Sequence, residues 1–218
     1  MTARPRAYAY VDGFNLYYGL LRRRQPEGPL HLKWLDIPRW LRLVAKDVDL
    51  LHVRYFTARV TSPPHDPDRS GRQDRYLRAL ATLPDVTIHF GHFLEKTSVA
   101  PLADSWPHRP RFVKVKVPEE KGSDVNLAVF LLVDAMDDLY DVALVVSNDS
   151  DLAGAIELVG RRFGKRVWVL SPHKRVSQAL RQVAAKYTEL RVGPVAACQL
   201  PDVVRDARGN EIRRPATW

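Results

Sequence analysis

The sequence predicts an α/β fold: a doubly wound, mainly parallel sheet with helices on both faces. Two observations point there. Val142–Val146 (VALVV) and Arg166–Leu170 (RVWVL) are short runs with almost no polar alternation, and a strand without a polar face has to be covered on both sides, as parallel strands are. The segments between and after these runs carry helical spacing, so strand and helix alternate along the chain. At 218 residues the chain is long enough for one domain with a sizeable core and short for two.

Taken in order, Arg6–Asp12 reads as a strand ending on an acid. Asn15–Arg24 then follows a helical stripe of Leu16, Leu20 and Leu21. Asp36 is placed as an N-cap, with Pro38 in the first turn of a helix whose stripe is Ile37, Trp40, Leu41 and Val44. Leu51, Val53 and Tyr55 alternate with polar residues as a strand does. Asp66–Leu83 opens with turn residues and becomes a basic helix. Val86, Ile88 and Phe90 mark another strand. Thr97–Pro110, rich in proline and small polar residues, is expected to be a loop. Val113, Val115 and Val117 alternate with Lys114 and Lys116, which predicts an edge strand guarded by lysines.

Ser123–Met136 is apolar on most sides and is expected to be a buried helix. Helices are expected around Leu152–Phe163 and Val176–Ala184, with a last strand near Glu189–Val192. Residues 1–192 form the expected domain, and 193–218, aperiodic and containing three prolines from Pro194 on, the expected extended tail.

The formal net charge is +9 with a pI near 9.8, which favours a polyanionic partner such as nucleic acid. No apolar run is long enough to span a membrane. The N-terminus has no secretory apolar stretch, and the single cysteine, Cys198, permits no internal disulfide; a reducing, cytoplasmic setting is the expectation. The seven histidines show no zinc spacing with that cysteine. Neither a phosphate loop nor a Gly-x-Ser-x-Gly elbow is present. Asp12-Gly13-Phe14 places an acid where a dinucleotide pyrophosphate would need positive potential.

Against this basic background, several acids fall at the carboxyl ends of expected strands or at helix starts, the edge where α/β sheets bind ligands. Asp12 closes the first strand. Asp124 begins the apolar helix. Asp149 and Asp151 follow the most apolar strand. Each has a structural alternative: Asp12 as a turn former, Asp124 as a first-turn acid, Asp149 or Asp151 as an N-cap, Asn15 as a helix-start residue. Their joint placement points to a divalent cation held by oxygen donors, Mg²⁺ or Mn²⁺, which lowers the pKa of bound water and neutralises phosphate charge. In that reading Asn15 orients a metal-bound water. Asp134, Asp137 and Asp138, toward a helix C-terminus, are expected to be solvated, although Asp134 stands out among apolar neighbours; Glu119 and Glu120 are expected in a solvated turn, with reach to the acid site as the alternative.

Three motifs, Tyr10-Val-Asp12-Gly-Phe-Asn15, Lys121-Gly-Ser-Asp124-Val-Asn-Leu-Ala128 and Ser147-Asn-Asp149-Ser-Asp151-Leu, occur in this order. They resemble the NYN domain, a branch of the PIN-like nuclease superfamily, over roughly residues 6–190. The resemblance implies a PIN-like, Rossmann-like sheet and Mg²⁺- or Mn²⁺-dependent endonuclease activity toward RNA that leaves a 5′ phosphate. It makes Asp12, Asp124 and Asp149 the metal-binding acids, Asp151 a fourth acid, and Asn15 a supporting residue. The Ser171-Pro-His-Lys174 segment also looks familiar. Lys121, Lys174 and Arg175 are expected to hold the RNA backbone, and a homodimer is compatible with such folds. One departure stands out: many members carry a second acid in mid-helix where this chain has Phe130. Phe130 and the tail keep a non-catalytic RNA-binding or assembly module as the alternative, and a metal-dependent phosphatase ranks third.

Overall fold

The computed structural model describes residues 3–22, 32–102 and 111–216. The strands are β1 (Arg6–Asp12), β2 (Asp49–Thr57), β3 (Val86–Phe90), β4 (His92–Pro101), β5 (Phe112–Lys121), β6 (Val142–Val146), β7 (Arg166–Ser171), β8 (Lys186–Glu189), β9 (Val203–Arg205) and β10 (Glu211–Arg213). Six of them form one parallel sheet in the order β3-β2-β1-β6-β7-β8. The helices are α1 (Gly13–Leu16), running into a π turn over Tyr17–Leu21, then α2 (Ile37–Val44), α3 (Arg69–Leu80), α4 (Ser123–Met136), α5 (Ala153–Phe163), α6 (Gln178–Val183) and α7 (Val192–Ala197).

Strand alternation divides the core in two. Ala7, Ala9 and Val11 of β1 face one layer with Leu16, Trp40, Leu77 and Leu80; Tyr10 faces the other with Leu127, Leu131, Ile156 and Leu180. Helices α1–α3 therefore cover one face of the sheet and α4–α6 the other, which is the doubly wound α/β arrangement that two-sided apolar strands require. β6 is buried at every position, as its unbroken apolar run demands.

The structure corrects several local expectations. Of the loop expected over Thr97–Pro110, Thr97–Pro101 belongs to β4, and residues 103–110 lie outside the described residues. β5 is an edge strand, as its lysines indicate, but of a separate two-stranded hairpin in which it pairs antiparallel with β4. The π turn replaces the later part of the helix expected over Asn15–Arg24, whose last two residues are outside the described set. The last strand of the sheet begins earlier than expected, at Lys186. Residues 192–216 form α7 and the β9–β10 hairpin, with Val195, Cys198, Leu200 and Ile212 buried. Trp34 donates its indole N–H to the Pro201 carbonyl, 2.7 Å, and Leu200 N–H bonds Trp34 O at 2.8 Å, so this segment braces the chain ahead of α2.

The expectation of a wholly buried α4 also fails. Leu127, Leu131, Asp134 and Ala135 are buried, while Val125, Val129, Val133 and Met136 form an exposed stripe on its outer side. Asp134, expected to be solvated, is 2% exposed. It accepts a two-pronged contact from Arg54 of β2, at 2.6 and 2.8 Å, and the Tyr10 hydroxyl at 2.7 Å. A buried charge demands such partners. The partner lies 80 positions away on another strand, so the pairing exists only once α4 is laid over β2. Burial, with the nearby Asp134 charge adding to it, holds the Tyr10 phenol well above its usual range. Phe130 closes this network from outside: the Arg54 guanidinium lies 4.5 Å from its ring centroid and the His89 ring 4.2 Å.

Asp134→Ala leaves Arg54 without its buried counter-charge and is expected to destabilise the protein by about 3–5 kcal/mol. The change is read as a lower urea midpoint at constant slope; an unchanged midpoint would remove this network from the account of stability.

Candidate active site

In the strand order the chain moves outward from β1 through β2 to β3 on one side, and from β6 through β7 to β8 on the other. The connections leaving β1 and β6 therefore diverge at their carboxyl ends and open a crevice between them. Asp12 is the last residue of β1, and Ser147 follows β6 directly. Asp12 caps the short α1: its Oδ1 accepts the Asn15 N–H at 2.9 Å, and its Oδ2 accepts the Ser147 hydroxyl at 3.1 Å. Gly13 is needed next because a Cβ there would meet the Tyr55 hydroxyl at 2.6 Å and the Phe56 carbonyl at 2.8 Å.

A second line of contacts locks the two strand ends together. Asn15 Oδ1 accepts the Asn148 N–H at 3.0 Å. The Asn148 amide donates to the Arg175 carbonyl at 2.9 Å and accepts the Tyr187 hydroxyl at 2.7 Å, joining the β6 loop to the segment after β7 and to β8. Ser147 Oγ also accepts the Asp149 N–H at 3.1 Å, and Asp149 in turn caps the following 3₁₀ turn by accepting the Asp151 N–H at 3.1 Å. Asp12 and Asp149 thus do the capping that their local sequence allows and still face a common edge.

Asp124 arrives from the opposite layer at the start of α4. The turn before it is held by Gly122 in the left-handed region, φ 93°, and by Glu120, whose Oε1 accepts the Ser123 hydroxyl at 2.7 Å and the Ser123 N–H at 3.1 Å. Glu120 is therefore a fixed part of this corner, not the solvated turn residue the sequence indicated.

The electrostatics show how these acids share space. The Asp12 carboxyl is 5% exposed. Burial pushes its pKa up to about 7, and the charges of Asp124 and Asp149 push the same way, against the bonds from Asn15 and Ser147. Asp124 is also raised, by burial first and then by Asp149, Glu120 and Asp151. Four of the five site residues inferred from sequence, Asp12, Asp124, Asp149 and Asp151, thus lie in one electrostatic neighbourhood, and the fifth, Asn15, ties its two sides together.

A divalent cation fits the donor set, which is all oxygen, and would offset both the burial and the mutual repulsion that raise Asp12 and Asp124. Among the described residues no three acid, histidine or cysteine side chains stand in a metal-holding group, so ligation by three carboxylates requires them to close onto the ion. Lys174 and Arg175 are exposed on the segment bonded to Asn148, and Lys121 is exposed just ahead of α4, where it pairs with Glu119. Ser147 and Asn148 had no assigned role in the sequence, and for Glu120 reach to the site stood second to a solvated turn. Ser147 and Asn148 lie inside the third motif, but their bonds depend on which strands become neighbours.

The NYN domain family model matches residues 6–191. The chain belongs to the NYN domain family. This places it in the PIN-like nuclease superfamily, whose α/β fold its six-stranded parallel sheet displays. Among curated proteins this NYN chain is similar to 6-hydroxy-3-succinoylpyridine 3-monooxygenase HspA of Pseudomonas putida, 28% identical, with 98% of this chain and 75% of the relative covered. Among solved structures it resembles a Vibrio parahaemolyticus protein of unknown function, with a TM-score of 0.53 and 16% identity over 88% of this chain and 96% of that one. That likeness supports the fold alone.

A carboxyl raised from 3.8 to about 7 is protonated in both folded and unfolded states at low pH. It opposes folding progressively as pH climbs between those values, and the full opposition, on the order of 4 kcal/mol, is present above the higher one. Asp12→Asn is therefore expected to raise the melting temperature of the metal-free protein at pH 8 and to change it little at pH 4. Mn²⁺ is expected to stabilise the wild type more at pH 8 than at pH 6, and Asp12→Asn not at all. A Mn²⁺ shift of equal size at both pH values would mean that Asp12 does not ligate.

Proposed function

We propose that this NYN protein is a metal-dependent endoribonuclease. The observation that carries the reading is the buried Asp12 carboxyl, set at the switch point of the sheet and raised in pKa by burial together with Asp124 and Asp149. Such a cluster is unfavourable by itself and becomes favourable around a hard cation. The basic balance of the chain, +9, supports a polyanionic substrate around that acidic point.

Asp12, Asp124 and Asp149 would hold Mg²⁺ or Mn²⁺. When bound, the cation supplies an acidified water and neutralises charge on the phosphodiester. Asn15, bonded at once to Asp12 and to the Asn148 backbone, acts as a positioning residue that sets the separation of the two strand ends. Asp151, exposed at the rim, orients the attacking water and takes up its proton. Water oxygen attacks phosphorus, the bond to the 3′ oxygen breaks, that oxygen takes a proton from solvent water while Asp151 returns its own to solvent, and the products carry a 5′ phosphate and a 3′ hydroxyl. Lys121, Lys174 and Arg175 line the approach of the RNA backbone.

The monooxygenase activity named for the Pseudomonas putida relative is ranked below this reading, because Asp12, Asp124 and Asp149 are hard oxygen donors suited to phosphodiester hydrolysis. A non-catalytic RNA-binding module is the second reading. Phe130, in the place where many family members have an acid, favours it: the ring packs on Arg54 and His89, and α4 instead commits Asp134 to an ion pair.

End-labelled RNA incubated with the purified protein is expected to be cut in Mn²⁺ or Mg²⁺ and to stay intact in EDTA. Asp149→Asn is expected to lower the rate at least a hundredfold, on the scale of losing one electrostatic stabiliser of a transition state. Binding of RNA to this variant should weaken steeply with added salt. Uncut RNA in every metal, with salt-sensitive binding intact, would establish the binding module in place of the nuclease.

A further inference from the structure

A cavity of about 310 Å³ opens between the π turn and α3, immediately beside the end of β1. Its chemistry differs from that of the acid edge. Among the described lining residues are four cations, Arg22, Lys33, Arg69 and Arg72, and one carboxylate, Asp66. Asp66 is occupied: both its oxygens take Arg72 Nη2 at 2.7 Å. Five of the remaining lining residues are aromatic: Phe14, Tyr17, Tyr18, Tyr55 and Tyr76. Tyr17 and Tyr18 meet edge to face at 5.2 Å between centroids. The Arg22 guanidinium lies 5.5 Å from the Tyr18 ring centroid, and the Lys33 ammonium lies 5.5 Å from that of Tyr17.

Holding like charges together in a half-buried recess is unfavourable. Lys33 registers this: burial lowers its pKa, and Arg72 and Arg22 lower it further. The fold nevertheless keeps them there. The buried segment from Leu32 to Leu35 that carries Lys33 is braced by Leu200 N–H bonding Trp34 O and by the Tyr76 hydroxyl bonding Leu35 O. A built recess with excess positive charge and aromatic walls is matched by a planar ring that bears an anion. The ring stacks on tyrosine, and the anion is drawn to the guanidinium and ammonium groups. The volume lies at the small end of the roughly 300–1,000 Å³ range of ligand pockets and suits one nucleotide.

Gly13 and Tyr55 join this recess to the acid edge. Both line the cavity. Gly13 follows Asp12 directly, and the Tyr55 phenol, raised mainly by burial, is raised also by the Asp12 charge. We propose that the cavity is a nucleotide subsite that takes one unpaired nucleotide of the RNA, base against Tyr17 and Tyr18 and phosphate against Arg22, Lys33 and Arg72, next to the phosphodiester held at Asp12. This rests on the RNA reading given above and narrows it to single-stranded substrate, since a base paired within a duplex has to leave its stack to enter.

The test is calorimetric titration of the full-length protein in EDTA with uridine 5′-monophosphate, uridine and nicotinate, so that no metal or cleavage is involved. The expected result is binding of the monophosphate, with uridine weaker by roughly tenfold or more for want of the charge-assisted contacts. Lys33→Gln and, on the exposed rim, Arg22→Gln are each expected to weaken the monophosphate and to raise KM for single-stranded RNA more than they lower kcat. Asp149→Asn is expected to bind the monophosphate as the wild type does. Nicotinate binding without the monophosphate would make the recess a site for a free aromatic acid and overturn the proposal. So would binding of none of the three. RNA cleavage with no mononucleotide binding and an unchanged KM in both variants removes the subsite and leaves the nuclease. Mononucleotide binding with no cleavage in any metal removes the nuclease and leaves the subsite.

Discussion

Burying the Asp12 carboxyl where β1 and β6 part sets the terms for the whole carboxyl edge. The residue has to end a strand, cap α1 and accept the Ser147 hydroxyl, all within a space that excludes nearly all water. Each demand fixes a neighbour. Gly13 follows because β2 approaches too closely for a side chain. Asn15 reaches across because the β6 loop must be held at the right distance. Asn148 then carries the constraint outward to Arg175 and Tyr187. One charge in a place that disfavours charge thus organises contacts from four segments of the chain.

The opposite edge of the sheet shows the contrasting solution. Arg6 pairs with Asp138 and Asp141, and Lys165 also contacts Asp138, so both acids are held below their usual range by Arg6 and Lys165. Acids at the amino edge are neutralised by built-in cations. At the carboxyl edge Asp12 and Asp124 are raised instead, by burial first and then by neighbouring acids, and a group of cations lines the separate recess across Gly13. The separation of charge into an acidic edge and a basic recess is what distinguishes the candidate site from ordinary surface ion pairing.

Much of the fold was legible because burial on two faces leaves a mark that periodicity can read. The unbroken VALVV run, the alternation in β2 and β3, and the capped start of α2 at Asp36 each report local conditions. The acids at strand ends were legible for the same reason, since a strand's end is itself local. What escaped was everything decided by a distant partner. Asp134 looks like one more acid near a helix terminus until Arg54 is brought over it. β5 reads as an edge strand, which it is, but nothing in its own segment shows that it is half of a hairpin with β4. Lys33 and Arg72 are unremarkable in their own segments, and only the packing of α3 beside the π turn makes a recess of them. The polar locks of Ser147 and Asn148 fall in the same class.

The strand order has a consequence for how the molecule comes into being. β1 is made before its two sheet neighbours, and one of them, β6, follows about 130 residues later. Pairings of such long range close slowly, because the chain entropy of the intervening loop is lost before the contact is gained. During synthesis, β1 with β2 and β3 can form half a sheet with an open edge, while Ser147 and Asp149 have not yet been added. The acid cluster is therefore completed only after the chain has grown through β6 and that strand has docked. A chain interrupted before that point carries Asp12 and Asp124 but lacks the loop after β6, so assembly of the site is tied to completion of the sheet.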